Sequence, residues 1–270
     1  MKIAESRIAN RYALEQVASY LSVENKVLQD LYDELLDDTQ FLQEVNQQIL
    51  HYSESKLFTK GLFGKGAVDN VDWFGFQRIL IYILIRLLKP KYCLETGVYY
   101  GGNTAFMLNA LHKNGGGSLI SIDYPDSKIR QEETHDTRHP WVAESELYSS
   151  SIQPGFMVPN YLRPYWELKI GSSLDVIPEL TQEFQFYIHD SDHAFQFLLD
   201  EVQCAQKKLS NNAMVIIDDI DWSNAFFQIC SLNQWYPLLV PDNGKDGVRV
   251  RTGVIKLDHK FCNKDGITCP

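Results

Sequence analysis

The chain is poor in cysteine, and the few it has form no pattern. Cys93, Cys204, Cys230, Cys262 and Cys269 are odd in number, scattered, and contain no C-x-x-C pair. Free thiols in a reducing cytosol are the simplest reading, with a Cys262–Cys269 pair near the end as the minor alternative. No His/Cys cluster at zinc spacing occurs. Long hydrophobic runs are also missing. The most apolar stretch, Ile79 to Leu88, is interrupted by Arg86 and is far too short to cross a bilayer. The segment from Met1 to Arg7 lacks the apolar region of a signal peptide. Positive charge is scarce. The net charge of −10, with no basic stripe, repels phosphate backbones and excludes nucleic acid as a partner. These absences predict a cytoplasmic protein without a membrane or nucleic-acid partner. The dinucleotide fingerprint Gly-x-Gly-x-x-Gly is absent as well.

In its place stands Glu95-Thr96-Gly97-Val98-Tyr99-Tyr100-Gly101-Gly102-Asn103-Thr104, preceded by Tyr92-Cys93-Leu94. The spacing predicts a strand, a glycine turn and the start of a helix over Ala105 to Leu111. Gly97 and Gly101 permit a tight bend and a close backbone approach. Asn103 and Thr104 suit the first exposed amides of that helix. Such an N-terminus accepts a carboxylate or a phosphate. The loop is wider than a dinucleotide turn and carries Glu95 at its start. S-adenosylmethionine offers a carboxylate for the helix start and a sulfonium that tolerates nearby acids. A strand-turn-helix with no ligand is the alternative.

With 270 residues the chain can bury one large core, or one core and an appendage. Residues 1–68 are predicted to be a helical appendage of about three helices, since Leu14, Val17, Leu21, Val27, Leu28, Leu31 and Leu35 recur at helical spacing. Phe41, Leu42, Val45 and Ile49 continue the pattern. A glycine-rich break, Gly61 to Gly66, reads as a hinge or loop; a phosphate cradle with Lys65 is the weaker alternative, because no Gly-Lys-Ser/Thr follows. The main domain is predicted over 69–270. Asp72 is placed to cap a helix running to Arg86, stopped by Pro90. Strands are predicted at Lys91 onward, Leu119 to Asp123, Trp166 to Gly171, Phe186 to Asp190 and Ala213 to Asp219. A helix is expected over Ala194 to Leu209. Val248 to Val250 and Gly253 to Leu257 read as a final antiparallel pair. Alternating strands and helices predict an α/β protein with a doubly wound, mostly parallel seven-stranded sheet.

In such sheets ligands sit at the carboxyl ends of the strands. Asp123, Asp190, Asp218 and Asp219 each close an apolar strand. Asp123 lies 26 residues beyond Gly97, close to the separation of about 20 at which a carboxylate holds ribose hydroxyls. A turn aspartate before Pro125 is the alternative. Tyr124 could lie against an adenine ring, and Ser172 and Ser173 could contact its edge. Carboxylates converging from neighbouring strands repel one another unless a cation is present. Asp190, Asp218 and Asp219 are hard oxygen ligands suited to Mg²⁺, or Mn²⁺. A bound dication would lower the pKa of a substrate hydroxyl. His193, in Asp190-Ser191-Asp192-His193, could then accept the proton as general base; a capping or buried structural histidine is the alternative. His135 and His139 read as solvated loop residues. The aromatic insert over 130–165 is either a lid or a packing flap.

These residues together carry a resemblance. The chain resembles class I S-adenosylmethionine-dependent methyltransferases of the Rossmann-like fold, and within them the macrocin O-methyltransferase-like group that acts on sugar hydroxyls. The resemblance spans about residues 70–257. It rests on Leu94 to Thr104, Ser121-Ile122-Asp123, Met157-Val158-Pro159 leading to Trp166, Ile188 to His193, and Ile216-Ile217-Asp218-Asp219. It implies that Gly97, Tyr99 and Asn103 hold the methionine end of the cofactor and that Asp123 holds the ribose. It also implies Mg²⁺ on Asp190, Asp218 and Asp219, His193 as general base, a small-molecule hydroxyl substrate, and a homo-oligomer built partly from the N-terminal helices. The family usually shows Ile-Asp-Gly-Asp-His; here Ser191 replaces the glycine and His189 precedes the first aspartate. Gly171-Ser172-Ser173 departs from an acidic residue often found against the adenine. A hydroxylase with iron on histidine ligands, and a non-catalytic binding protein, are the other functions this scaffold admits.

Overall fold

The computed structural model describes residues 3–53, 75–124, 154–244 and 247–257. Seven strands form one sheet: β1 (Tyr92–Thr96), β2 (Ser118–Asp123), β3 (Trp166–Ile170), β4 (Phe184–His189), β5 (Leu209–Ile217), β6 (Leu238–Gly244) and β7 (Gly247–Lys256). Their order is β3-β2-β1-β4-β5-β7-β6. β1 to β5 run parallel, and β7 is antiparallel to both β5 and β6. The chain turns from one side of the sheet to the other at the β1/β4 pair. A crevice opens there, beyond the carboxyl ends of the strands.

The sheet is covered on both faces, so its central strands bury apolar residues on both sides rather than at alternate positions only. Neighbours in sequence enter opposite cores. Cys93, Leu119, Phe186 and Met214 join one buried cluster. Leu94, Ile120, Tyr187 and Val215 join the other. The first face is covered by α4 (Phe76–Leu88) and α5 (Gly102–Lys113), with the N-terminal helices α1 (Ile3–Leu21), α2 (Asn25–Leu36) and α3 (Thr39–Ser53) sharing the same cluster. The second face is covered by α6 (Ser173–Glu179), α7 (Phe195–Gln206) and α8 (Ala225–Asn233). Ile79 to Ile85 is helical, as expected, and buried at every position. Lys89 ends α4 in the left-handed region with φ +49°, just before Pro90.

The N-terminal helices are tied to the sheet domain by polar anchors. Glu34 on α2 accepts from Arg86 on α4 at both oxygens, 2.7 and 2.8 Å. The Tyr20 hydroxyl donates to the Tyr236 carbonyl at 2.9 Å and accepts from the Lys256 amide at 3.1 Å. The expected boundary at 68/69, Lys65 and Asp72 lie outside the described residues.

The carboxyl-terminal pairing differs from expectation. Residues 248–250 and 253–256 do not pair with each other; both belong to β7, which pairs with β6 on one side and β5 on the other. Pro237, Pro241 and the run Asp242-Asn243-Gly244 disguise β6 as a loop. A proline is tolerated there because β6 is the edge strand, and the register shifts between Val240 and Pro241. Cys93, Cys204 and Cys230 are free thiols. No described helix is long and apolar enough to cross a membrane.

Candidate active site

The turn after β1 and the turn after β4 are in direct contact. Gly97 has φ +82°, and a Cβ on it would stand 1.9 Å from the Asp190 carbonyl oxygen. Only glycine permits this approach. One backbone bond joins the two tips, Asp190 N to Thr96 O at 2.9 Å, and Gly97 N donates to Ile122 O of β2 at 2.9 Å. Tyr99 and Gly101 also hold positive φ, at +50° and +87°. The Asp123 carboxylate closes the loop by accepting from the amides of Val98 (3.1 Å) and Tyr99 (2.7 Å). Asn103, in the first turn of α5, donates through Nδ2 to Asp190 Oδ2 at 2.7 Å. Its Oδ1 is buried without a hydrogen-bond partner among the described residues. Gly97, Tyr99, Gly101, Asn103, Asp123 and Asp190 are thus brought to one edge of the sheet.

Glu95 and Thr104 are not on that edge. The Thr104 hydroxyl bonds both Glu95 oxygens, at 3.0 and 2.8 Å, and Ser121 Oγ donates to Oε2 at 2.5 Å. Glu95 has no exposed surface for a ligand. Burial pushes its carboxyl up to about 7, against the pull of those bonds. The pair braces β1 against α5 and β2 from inside. Ser173 is likewise turned inward, donating to Glu201, while Ser172 is half-buried at the start of α6. Ser173 is thus held from within the core, away from the role expected of it at the adenine edge.

Asp190, Asp218 and Asp219 share one electrostatic neighbourhood. Burial, then the charges of Asp218 and Asp219, hold the Asp190 carboxyl well above the usual range, with Arg78 acting against them. Burial and the Asp219 charge raise Asp218 to about 6. Asp219 sits at φ +48°, and its Oδ1 is paired with the Arg251 guanidinium. His193 Nε2 faces two of these acids, 3.7 Å from Asp219 Oδ2 and 3.9 Å from Asp190 Oδ1. Burial, then the nearby His189, lower the His193 pKa to about 4. Its imidazole is therefore neutral at ordinary pH and able to take a proton.

The donor chemistry of the three aspartates is that of a hard-ion site, but their arrangement is not. Among the described residues, no three His, Cys, Asp or Glu side chains converge closely enough to hold a metal ion. Asn103 occupies Asp190 Oδ2 and Arg251 occupies Asp219 Oδ1. As arranged, these residues do not form the expected seat for Mg²⁺.

A buried polar hub lies beneath the cleft. Glu201 on α7 has no solvent exposure. It accepts from Thr96 Oγ1 (2.5 Å), Tyr187 OH (2.7 Å), His189 Nδ1 (2.6 Å), Ser191 Oγ (2.7 Å) and Ser173 Oγ. One carboxylate thereby ties together the tips of β1 and β4, the start of α6 and the turn leading to His193. The His189 and His193 rings meet edge to face at 5.4 Å. Sequence reasoning passed over Glu201 and Arg251, since neither lies in a motif. The available signal was the pair of unusual residues His189 and Ser191, which both bond Glu201.

The described part of the aromatic insert packs rather than projects. Phe156, Met157 and Val158 are buried. Gly155 N and Met157 N donate to the carbonyls of Tyr99 and Tyr100, at 2.9 and 3.0 Å. Residues 125–153, including His135 and His139, lie outside the described residues.

Comparison with known proteins bears on the fold. Residues 94–220 match the model of a family described as a methyltransferase domain. The O-methyltransferase TomG from Streptomyces achromogenes, solved with SAM, is similar at 16% identity over 82% of this chain and 92% of its own, with a TM-score of 0.52. An O-methyltransferase from Bacillus cereus, solved with SAH, matches at 16% identity over 86% and 97%, TM-score 0.52. A putative caffeoyl-CoA O-methyltransferase from Staphylococcus aureus matches at 13% identity over 86% and 98%, TM-score 0.50. No curated protein matches the sequence significantly. The fold is the Rossmann-like methyltransferase fold, with helices at the N-terminus.

Proposed function

We propose that this chain is an S-adenosylmethionine-dependent O-methyltransferase acting on a hydroxyl of a small molecule. The observation that carries the proposal is the contact between the Gly97 turn and the Asp190 tip, with neutral His193 directly beside it. When bound, S-adenosylmethionine supplies an electrophilic methyl group on a sulfonium. The residues present suit it. The unpartnered Asn103 Oδ1 can accept from its ammonium, the first amides of α5 can take its carboxylate, and Asp123, at the tip of β2, would take the ribose hydroxyls.

His193 is the base. Its Nε2 would take the proton of an acceptor hydroxyl to which the bound cofactor would supply its methyl group. Asp219 Oδ2, 3.7 Å from that nitrogen, would face the resulting imidazolium. Much of the acceleration would come from holding the two reactants together in one orientation. The resemblance narrows the acceptor to a sugar or glycosylated metabolite and adds magnesium on Asp190, Asp218 and Asp219. No step above depends on either.

The test is S-adenosylhomocysteine release from wild-type protein and S-adenosylmethionine over a panel of sugar and aromatic hydroxyls. At least one class should turn over, and His193→Asn should lower that rate about 100-fold or more. No release with any acceptor, together with no cofactor binding, would leave only the scaffold reading.

A further inference from the structure

Beside the turn after β1 stands a cation that no motif marks. Arg78 lies in the first turn of α4 and is half-buried. A Cβ on Gly102 would stand 2.8 Å from Arg78 Nε, 3.0 Å from Nη2 and 3.1 Å from Cζ. The guanidinium therefore lies against the first turn of α5, in space that the glycine leaves open. A cation at a helix N-terminus meets the positive end of the helix dipole, which is unfavourable by itself. Asp190 feels the Arg78 charge, but burial and the neighbouring acids hold its carboxyl well above the usual range. Its Oδ2 already accepts from Asn103 Nδ2 at 2.7 Å. Arg78 and the first amides of α5, which have no partner within the helix, thus converge on a place for an anion. Next to it stands Asn103, 5% exposed, whose Oδ1 has no hydrogen-bond partner among the described residues. An acceptor buried so deeply calls for a donor from a ligand.

We propose that Arg78 is a cofactor-binding residue: with the first amides of α5 it holds the carboxylate at the methionine end, while Asn103 Oδ1 takes the neighbouring ammonium. This rests on the reading of the cleft as an S-adenosylmethionine site, and gives the cofactor carboxylate the charged partner that helix amides alone do not supply. A guanidinium presents two parallel donors to a carboxylate, which fixes direction as well as charge. Gly102 is part of the device, because a side chain there would push the guanidinium away from the helix end. Arg251, beyond β5, is paired with Asp219 and does not serve this end of the cleft.

The test is calorimetric titration of the full chain with two ligands, S-adenosylhomocysteine and its decarboxylated form, which keeps the adenosine, the thioether and the ammonium. Wild type should bind the decarboxylated ligand about tenfold or more weakly. Arg78→Gln should lose about tenfold or more in affinity for S-adenosylhomocysteine, yet stay within about threefold of wild type for the decarboxylated ligand. Arg78→Lys keeps the charge without the fork and should fall between wild type and Arg78→Gln. Equal losses for both ligands, or no loss for S-adenosylhomocysteine, overturn the assignment of Arg78 and leave the cofactor reading standing. Equal affinity of wild type for the two ligands does the same. No saturable binding of S-adenosylhomocysteine by wild type overturns both. Should Arg78→Gln not fold, Gly102→Ala carries the comparison: it displaces the guanidinium with its charge retained and should weaken S-adenosylhomocysteine binding selectively. Unchanged affinity in Gly102→Ala contradicts the assignment.

Discussion

Two fully buried glutamates near the cleft titrate in opposite directions, because their partners differ. Burial raises Glu95 to about 7, and its neutral partners Ser121 and Thr104 only moderate the rise. Burial also acts to raise Glu201, but the charge of His189 and five donors overcome it and hold the carboxyl at about 2. The signs follow from linkage. Glu95, raised in the folded state, contributes stability that is complete below its ordinary value of 4.5 and is lost as pH rises through about 7. Glu201, depressed, contributes stability that is present above 4.5 and is lost as pH falls towards about 2. Glu95→Gln should therefore flatten the alkaline limb of a melting-temperature profile, and Glu201→Gln the acid limb. Equal losses in wild type and Glu95→Gln between about pH 5 and about pH 8 would refute the Glu95 assignment. His193 makes a kinetic prediction at this scale. Held at about 4 by burial and His189, it should keep methyl transfer active well below the ordinary histidine value of about 6.5. An acid limb in the rate profile near 6.5 would mean that His193 is not the base.

At the scale of elements, the cleft depends on turns that bring strand tips into contact. Gly97→Ala would place a methyl 1.9 Å from the Asp190 carbonyl oxygen, at φ +82°. Cofactor affinity should fall about 100-fold or more, because both halves of the site would be pushed apart; calorimetry with S-adenosylhomocysteine checks it. These turns were legible in the sequence because glycine and aspartate mark them one by one. The central strands and α4 were legible because burial on both sides leaves uninterrupted apolar runs such as Ala213 to Ile217. β6 was not legible, since an edge strand tolerates Pro241 and turn residues that an inner strand would reject. Glu95 and Ser173 were expected to face the cofactor. Their motif positions were informative, but the direction of a side chain depends on partners far away in sequence, Ser121 and Glu201. Arg251 escaped notice for the same reason: nothing near it in the chain marks it as a neighbour of Asp219.

At the scale of the molecule, the seven strands, two cores and three N-terminal helices of the described residues act as a support for one crevice. The N-terminal helices are bound to the sheet domain through the first core and through Glu34, whose carboxyl is held below its ordinary value by the Arg86 hydrogen bonds against the effect of burial. Arg86 is 14% exposed and Glu34 36%, so solvent screens part of this pair. Glu34→Ala should cost about 1–2 kcal/mol in a denaturant melt; an unchanged midpoint would show that the apolar packing alone holds α2. The net charge of −10 fits a small-molecule acceptor better than a polyanion. The central claim is that the joined Gly97 and Asp190 turns form a cofactor cleft, and a calorimetric titration of the full chain with S-adenosylhomocysteine tests it most directly. The account predicts saturable binding at one site per chain, lost in Gly97→Ala. Absence of heat up to millimolar ligand, with the protein folded, would contradict it.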